Sequence, residues 1–493
     1  MGACGSTKNK SSVAKSRTLD NKKEPENTTK PIKENQTFTN PKTNGIPAPI
    51  KETKTDIIKE INKPADPNPN RKRYKKRKDL DDGGYYDGEL FDGKPDGYGI
   101  REFKNGDKYE GTFKDGNIDG KGKYISKDGE IYDGEFKDNK HFGFGILTFP
   151  DGSKYEGNFV NDEFDGKGKY TYSEGGYYDG NWVKGKKNGK GKYEMSDGKV
   201  YEGEFIDDQF HGKGKLTMKD GSYYDGNWEK NKQNGKGIKK NSNGEIYDGE
   251  YVNNKMQGKG KYIFSYGDEY EGDFYNDKLH GKGKMTFKNG TIYEGDYKEN
   301  QQDGKGKLIN ANGNVYEGDF VQNVIKGKGK KIYKKGGYYE GDWDNYKYNG
   351  KGIKVFDNKD KYEGDFVNGK MEGKGKFTYV EGDVYEGDWK NDLKNGKGIF
   401  IYSDGEKYEG EFVDDCKQGK GKTKYENGDE YEGDYYEDKR QGKGIMKFAN
   451  GERYEGDFYD DMLHGKGLLF RDGKAYEGVW NQNNIVGKLK KYK

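Results

Sequence analysis

At 493 residues the chain is long enough for several compact domains, yet only 28% of it is hydrophobic and 36% is charged, too little aliphatic material to fill their cores. Its 43 tyrosines and 80 glycines point instead to a thin structure in which flat rings are buried, and a compact enzyme is excluded on the same ground. The formal net charge of +3 hides an asymmetry, because residues 1–80 carry 20 Lys and Arg against 9 Asp and Glu, a balance of +11, and the rest carry 71 against 79, a balance of −8.

The chain opens Met1-Gly2-Ala3-Cys4-Gly5-Ser6. Gly2 with Ser6 matches the N-myristoylation pattern, and Cys4 is placed for palmitoylation beside it. One myristoyl chain binds a membrane only marginally, so a second signal is required. Cys4 can supply it, and so can Lys8, Lys10, Lys15, Arg17 and the run Arg71, Lys72, Arg73, Lys75, Lys76, Arg77 and Lys78, at about 1 kcal/mol per basic residue near an anionic surface. The plain alternatives are a chance Gly-Ala-Cys start and a solvating or nuclear-type basic run. Residues 1–80 also hold eight of the ten prolines and only Phe38 and Tyr74 as aromatics, so a disordered basic tail is expected there. No run of 18 apolar residues and no secretory segment is expected to engage a bilayer. The two cysteines, Cys4 and Cys416, cannot make a disulfide framework and fit a reducing compartment.

From Tyr86 a tyrosine followed by Glu/Asp-Gly recurs in unbroken steps of 23 residues to Tyr454, then after 22 at Tyr476, which makes 18 units over residues 81–493. The unit at Tyr270 shows the pattern. Counting that tyrosine as 0, glycines fall at +2, +11 and +13 (Gly272, Gly281, Gly283), an aromatic at +4 (Phe274), and large apolar residues at +15 and +17 (Met285, Phe287). Strands over 0 to +5 and +11 to +17 put these on one face, whereas two glycines within three residues disfavour helix by roughly 1 kcal/mol each. A loop over +6 to +10 predicts that opposed positions sum to 15: Phe274 faces Gly281, Gly272 faces Gly283 and Tyr270 faces Met285. On the other face Glu271 opposes Lys284 and Asp273 opposes Lys282. The first unit deviates, with Leu90 at +4 and Pro95 in its loop, and the last carries Leu489 at +13; array ends deviate because they cap an edge. Lys359 replaces the second-turn glycine of the Tyr339 unit, and Asn358 is the residue expected to turn left-handed in its place.

The consensus Y-[ED]-G-x-[FWY] followed by G-K-G, as in Tyr201-Glu202-Gly203-Glu204-Phe205 with Gly212-Lys213-Gly214, resembles the MORN (membrane occupation and recognition nexus) repeat. The resemblance covers residues 85 to about 490. It implies an all-β fold, an elongated single-layer antiparallel ribbon of stacked hairpins. It also implies scaffold or spacer roles at membranes or in cytoskeletal and ciliary assemblies, and makes dimerisation an expectation. A thin sheet is expected to leave Trp182, Trp228, Trp343, Trp389 and Trp480 available as partner-surface aromatics.

Chemistry is sparse. Gly421-Lys422-Thr423 lacks the glycine a phosphate loop needs five places earlier, where Cys416 stands. His141, His211, His280 and His464 are expected as solvated loop residues of separate units, too far apart to share a metal. Recurring Glu and Asp beside recurring Lys read as structural pairs rather than general acids and bases. No catalytic residue, metal or cofactor is expected. The acidic balance of the repeats argues against nucleic acid. The sequence therefore predicts a lipid-anchored scaffold on the cytoplasmic side of a membrane, bound through acyl chains and its basic tail, with protein partners along the ribbon and a homodimer as a further expectation. The alternatives are a cytoskeletal or axonemal subunit, and a phosphoinositide-binding regulator of a separate lipid kinase.

Overall fold

The computed structural model describes residues 74–493, and their regular structure is β-strand: 38 strands in one antiparallel sheet. Strands pair with their neighbours in sequence, first within a unit and then with the next unit, as expected for stacked hairpins.

The unit at Tyr270 shows how the residues enforce this. Its strands are Glu269–Tyr275 and Lys278–Thr286, joined by Asn276 and Asp277 with φ of 49° and 67°. Two consecutive positive φ angles make a type I′ turn, whose twist matches that of the flanking strands and which Asn and Asp tolerate. The loop is therefore two residues long, not the five expected. Tyr270↔Met285, Glu271↔Lys284 and Gly272↔Gly283 pair as predicted, but beyond them the register shifts to Asp273↔His280 and Phe274↔Leu279. The tight turn makes opposed positions sum to 13 while the outer strands keep 15, and a bulge at Gly281 and Lys282 absorbs the difference. These two residues face the next unit instead, Gly281 opposite Tyr297 and Lys282 opposite Asp296.

The glycines have two separate causes. A Cβ on Gly283 would sit 2.2 Å from the Tyr270 hydroxyl oxygen and 2.3 Å from the ring's Cε2, so the pair Gly272/Gly283 is the bed on which the ring lies. Gly281 has a φ of 61° and its Cβ would meet Asp273 Oδ2 at 2.7 Å; it serves the bulge, not a ring in its own hairpin. The Tyr270 hydroxyl donates to the Asp273 carbonyl at 3.0 Å, and the same bond recurs from Tyr86 (2.7 Å) to Tyr454 (3.1 Å). A buried hydroxyl needs such a partner.

A second lock joins units. Asn300, second residue of its turn, donates its N–H to the Leu279 carbonyl (3.0 Å) and accepts the Leu279 N–H on Oδ1 (2.8 Å). Asp277 with Met256 and Asp392 with Met371 repeat the side-chain half. Each Asx side chain thus satisfies a backbone donor that the bulged ladder leaves over.

The ends differ from expectation. Tyr74–Asp79 is a strand paired with Tyr85–Phe91 rather than part of the disordered tail. Register sets Lys75 opposite Glu89 and Arg77 opposite Asp87, and the Arg77 guanidinium lies 4.1 Å from the Tyr85 ring centroid. Opposite charges draw the basic run onto the first hairpin, and its lysines then guard the sheet edge. Pro95 is in strand Lys94–Glu102 opposite Leu90, not in a loop. At the other end the strand Lys474–Asn481 receives only Asn484–Ile485 and Lys490–Lys491 on its far side, and Leu489 packs over Gly478.

Two positions break the local rules. Lys359 itself takes the left-handed conformation, φ 77°, because its N–H is tied to the Phe356 carbonyl (3.1 Å); Asn358, expected to do so, instead accepts the Asp360 N–H. Tyr346 stands where the other turns have Asx or Gly, φ 63°, and makes only the backbone half of the lock, to Ile325. Tyr346→Asn is expected to stabilise its rung by about 1 kcal/mol, by relieving the ring-bearing turn residue and adding a bond to the Ile325 N–H. Slower amide exchange at Ile325 is the readout, and unchanged exchange contradicts it. Lys359→Gly is expected to add up to about 1 kcal/mol by removing a left-handed side chain, checked by denaturant midpoint against the wild type.

Candidate functional site

The sheet has a ring face and a charged face. On the ring face each repeat tyrosine from Tyr109 to Tyr454 meets two +4 rings edge-on, as Tyr270 does with Phe274 (5.2 Å, 90°) and Tyr297 (5.1 Å, 85°). The file of rings runs from Tyr86 to Trp480. Burial pushes the tyrosine hydroxyls up, Tyr86 and Tyr224 to about 12, so they remain protonated donors.

The five tryptophans are part of that file, not a partner surface. Trp182, Trp228, Trp343, Trp389 and Trp480 are buried, none more than 5% exposed. Trp343, for example, lies edge-on between Tyr316 (5.1 Å) and Tyr339 (5.2 Å), and its indole N–H donates to the Gly329 carbonyl at 2.9 Å. The register that places each +4 ring beside the preceding unit's bulge glycine covers it from both sides. A recurrent set of exposed apolar side chains stands at +5 instead: Val160, Ile206, Val252, Tyr275 and Val413 are 41–50% exposed and flank the hairpin turns, while others such as Phe144 and Ile332 are exposed elsewhere in their units. Sequence reasoning missed this column. Its signal was the recurrent aliphatic or aromatic residue just after the +4 ring.

The charged face carries a groove of about 1620 Å³ floored by the paired glycines and walled by Glu or Asp at +1 and Lys at +12 and +14, running from Lys236 to Gly341. Asp at +3 is its clamp. Asp296 Oδ1 lies 2.6 Å from the Lys282 ammonium of the preceding unit, and its Oδ2 accepts the Lys305 N–H of its own unit at 2.8 Å. Asp319 does the same with Lys305 (2.5 Å) and Lys328 (2.8 Å). The expected pair within one hairpin, Asp273 with Lys282, is replaced by Asp273 with Lys259 at 2.6 Å, because the bulge turns Lys282 to the next unit. Partial burial opposes ionisation of these carboxylates, but the lysine and the backbone N–H outweigh it and hold Asp273, Asp296 and Asp319 below the ordinary value.

The histidines stand in strands, not in solvated loops. His141 stacks on Tyr132 at 3.8 Å and 18°, and burial holds its imidazole below the usual value against the pull of Asp162. Phe164 on Tyr155 and Phe210 on Tyr201 make the same stack, so His141 serves as a ring. His211, His280 and His464 lie one residue further along their strands, in separate units. Among the described residues no group of His, Cys, Asp and Glu could hold a metal. Cys416 opens strand Cys416–Lys424 and is 8% exposed. Of the basic residues, Lys75, Lys76, Arg77 and Lys78 are exposed on the first strand, whereas Gly2, Cys4, Lys8, Lys10, Lys15, Arg17, Arg71, Lys72 and Arg73 lie outside the described residues.

The MORN repeat family profile matches the chain seventeen times in succession, from 86–108 to 454–474. The shortened unit at Tyr476 lies beyond the last match. No curated protein matches the chain. Among solved structures it is similar to the SAS-4 (dCPAP) TCP domain of Drosophila melanogaster, at 14% identity over 32% of this chain and 85% of that one, with a TM-score of 0.21. It is also similar to the wild-type TCP10 domain of Danio rerio CPAP, at 11% identity over 62% and 95%, TM-score 0.10. A third is virginiamycin B lyase from Staphylococcus aureus, at 15% identity over 50% and 88%, TM-score 0.11. Likenesses this slight carry no argument.

The aspartate clamps predict acid sensitivity. Their folded-state pKa is lowered, so their contribution is present above the ordinary carboxylate value of 3.8 and is lost as pH falls through the lowered one. Asp319→Asn is expected to destabilise by about 0.5–1 kcal/mol at neutral pH and to flatten the decline in stability between about pH 4 and pH 2. Denaturant midpoints across that range check it; an unchanged slope contradicts the clamp.

Proposed function

On the premise that the chain belongs to the MORN repeat family, as its seventeen matched repeats establish, we propose that it is a non-catalytic scaffold, anchored by an acylated basic tail to the cytoplasmic face of a membrane and presenting its array to protein partners. Membership of the family supports a repeat scaffold or binding protein. The observation that supports the finer reading is the division of labour within each rung. Rings, glycines and turn Asx are consumed in holding the sheet together, while the +5 position of each unit, apolar in many and charged in others, and the charged groove from Lys236 to Gly341 stay accessible. A repeating surface of this kind suits several copies of a partner, or one long partner engaged at many points.

The anchor rests on Gly2 with Ser6, Cys4 and the basic residues that follow. Lys75, Lys76, Arg77 and Lys78 are exposed on the edge strand, which places four cations of the run at the start of the array. Two acyl chains, or one with these cations, suffice for stable anchoring.

Membrane fractionation of wild type beside Gly2→Ala tests the proposal. Wild type is expected in the membrane fraction and released by detergent, with Gly2→Ala mostly soluble. A Gly2→Ala protein that stays fully on membranes removes the acyl anchor. A wild type that resists detergent and remains with filaments replaces the membrane scaffold by a cytoskeletal subunit.

A further inference from the structure

The ring face encloses a cavity of about 90 Å³ in the repeat that begins at Tyr247. Tyr247, Tyr251, Tyr262, Met256 and Asp277 line it, and the exposed Lys239 stands at its rim. Tyr251 is 2% exposed, yet its hydroxyl has no hydrogen-bond partner. At the corresponding +4 position in a later repeat, the Tyr435 hydroxyl is 2.6 Å from that of Thr423. The Tyr297 hydroxyl, also at +4, is likewise buried without a partner, but Tyr251 lines a cavity that can take a polar group.

Another rung of the same chain shows which group fits. Tyr247 and Tyr262 are positions 0 and +15, with centroids 6.4 Å apart and planes at 47°. In the repeat at Tyr385 the same positions, Tyr385 and Phe400, are 6.5 Å apart at 44°. There the ammonium of Lys394, at +9, lies 5.9 Å and 5.0 Å from the two centroids. The Lys394 N–H donates to Asp415 Oδ1 at 2.8 Å, and this carboxylate is also the leading counter-charge to the ammonium. The Met256 N–H donates to Asp277 Oδ1 at the same 2.8 Å. Backbone frame, repeat tyrosine and carboxylate therefore coincide, and +9 carries a thioether in place of an ammonium; the surrounding rings differ, with Tyr251 for Trp389, Tyr262 for Phe400 and Lys239 for Phe377. Lys187 and Arg440 hold cations at +9 over their repeat tyrosines in two further units.

We propose that this cavity receives a lysine or arginine side chain from a partner protein, its alkyl stem against Met256 and its cationic head over Tyr247 and Tyr262 toward Asp277. Ring faces and a carboxylate attract a cation and repel an anion. Lys239 at the rim is the chain's own competitor for the place. The inference deepens the scaffold reading by naming the chemistry of a partner; it is independent of the acyl anchor.

The test is a titration of the full-length protein with n-butylammonium chloride, followed by saturation-transfer NMR, with n-butanol as the uncharged isostere. Wild type is expected to bind the cation about tenfold more tightly than the alcohol. Met256→Lys puts at +9 the residue that the Tyr385 repeat carries there, on a backbone the chain already uses, and it is expected to abolish the cation signal by filling the cavity from within. Lys239→Met is expected to tighten binding. Equal binding of the two probes, undiminished binding by Met256→Lys, or loss of binding in Lys239→Met each overturns the proposal. None of these outcomes touches the fractionation result, so failure of the receptor site and failure of the anchored scaffold are separately visible.

Discussion

A tyrosine ring laid flat over two glycines of its own hairpin, with its hydroxyl held by a carbonyl three residues on, is the contact on which every rung depends. It solves the difficulty of a sheet without a second layer. A single layer has no opposing surface to bury against, so the rings must be covered by neighbours in the same layer. Removing both Cβ atoms beneath the ring lets it sink onto the backbone, and that brings its edges within reach of the +4 rings before and after it. The file of edge-on rings is then continuous, and a residue such as Trp343 loses almost all its exposure without any second sheet.

Sinking the ring constrains the hairpin. The two-residue turn is too short for the register that the ring and glycine pair require, and the bulge at Gly281 and Lys282 is the consequence. The bulge turns the +12 lysine to the next unit and leaves a backbone N–H near the turn without a ladder partner. Asp at +3 answers the first and Asx at +7 the second. Both bonds run between units. Rungs are thus tied by specific polar contacts as well as by sheet hydrogen bonds, and the cooperative unit is larger than one repeat.

The same frame tolerates different occupants at +9, and this is where function can enter. Phe164, His141, Lys394 and Met256 all occupy the place beside the repeat tyrosine. A flat ring stacks on the tyrosine, and a lysine lays its ammonium over two rings. Beside Met256 the same rings border a cavity. Variation confined to such positions changes what a repeat can bind while the backbone stays as it is, because no ladder bond depends on the side chain there.

Period, strand content, the ring-and-glycine face and the family were legible in the sequence because each is a local pattern repeated many times. The pairing of Tyr270 with Met285 followed from the assumed sum of 15, which the outer part of the hairpin keeps. What lay beyond reach was anything set by the exact turn. One wrong loop length moved the glycine opposite Phe274 and the lysine ammonium paired with Asp273 from their own hairpin to the preceding one, Gly258 and Lys259, and it hid the burial of the tryptophans and the exposure at +5. Charge pairing of Tyr74–Asp79 with the first hairpin was equally invisible, since a basic run reads as tail until an acidic strand is set beside it. The near-identity of ring geometry in the Tyr247 and Tyr385 repeats, with a cation in only one of them, was decided by tertiary placement, because residues 15 apart in sequence show no angle between their planes until both strands are in register.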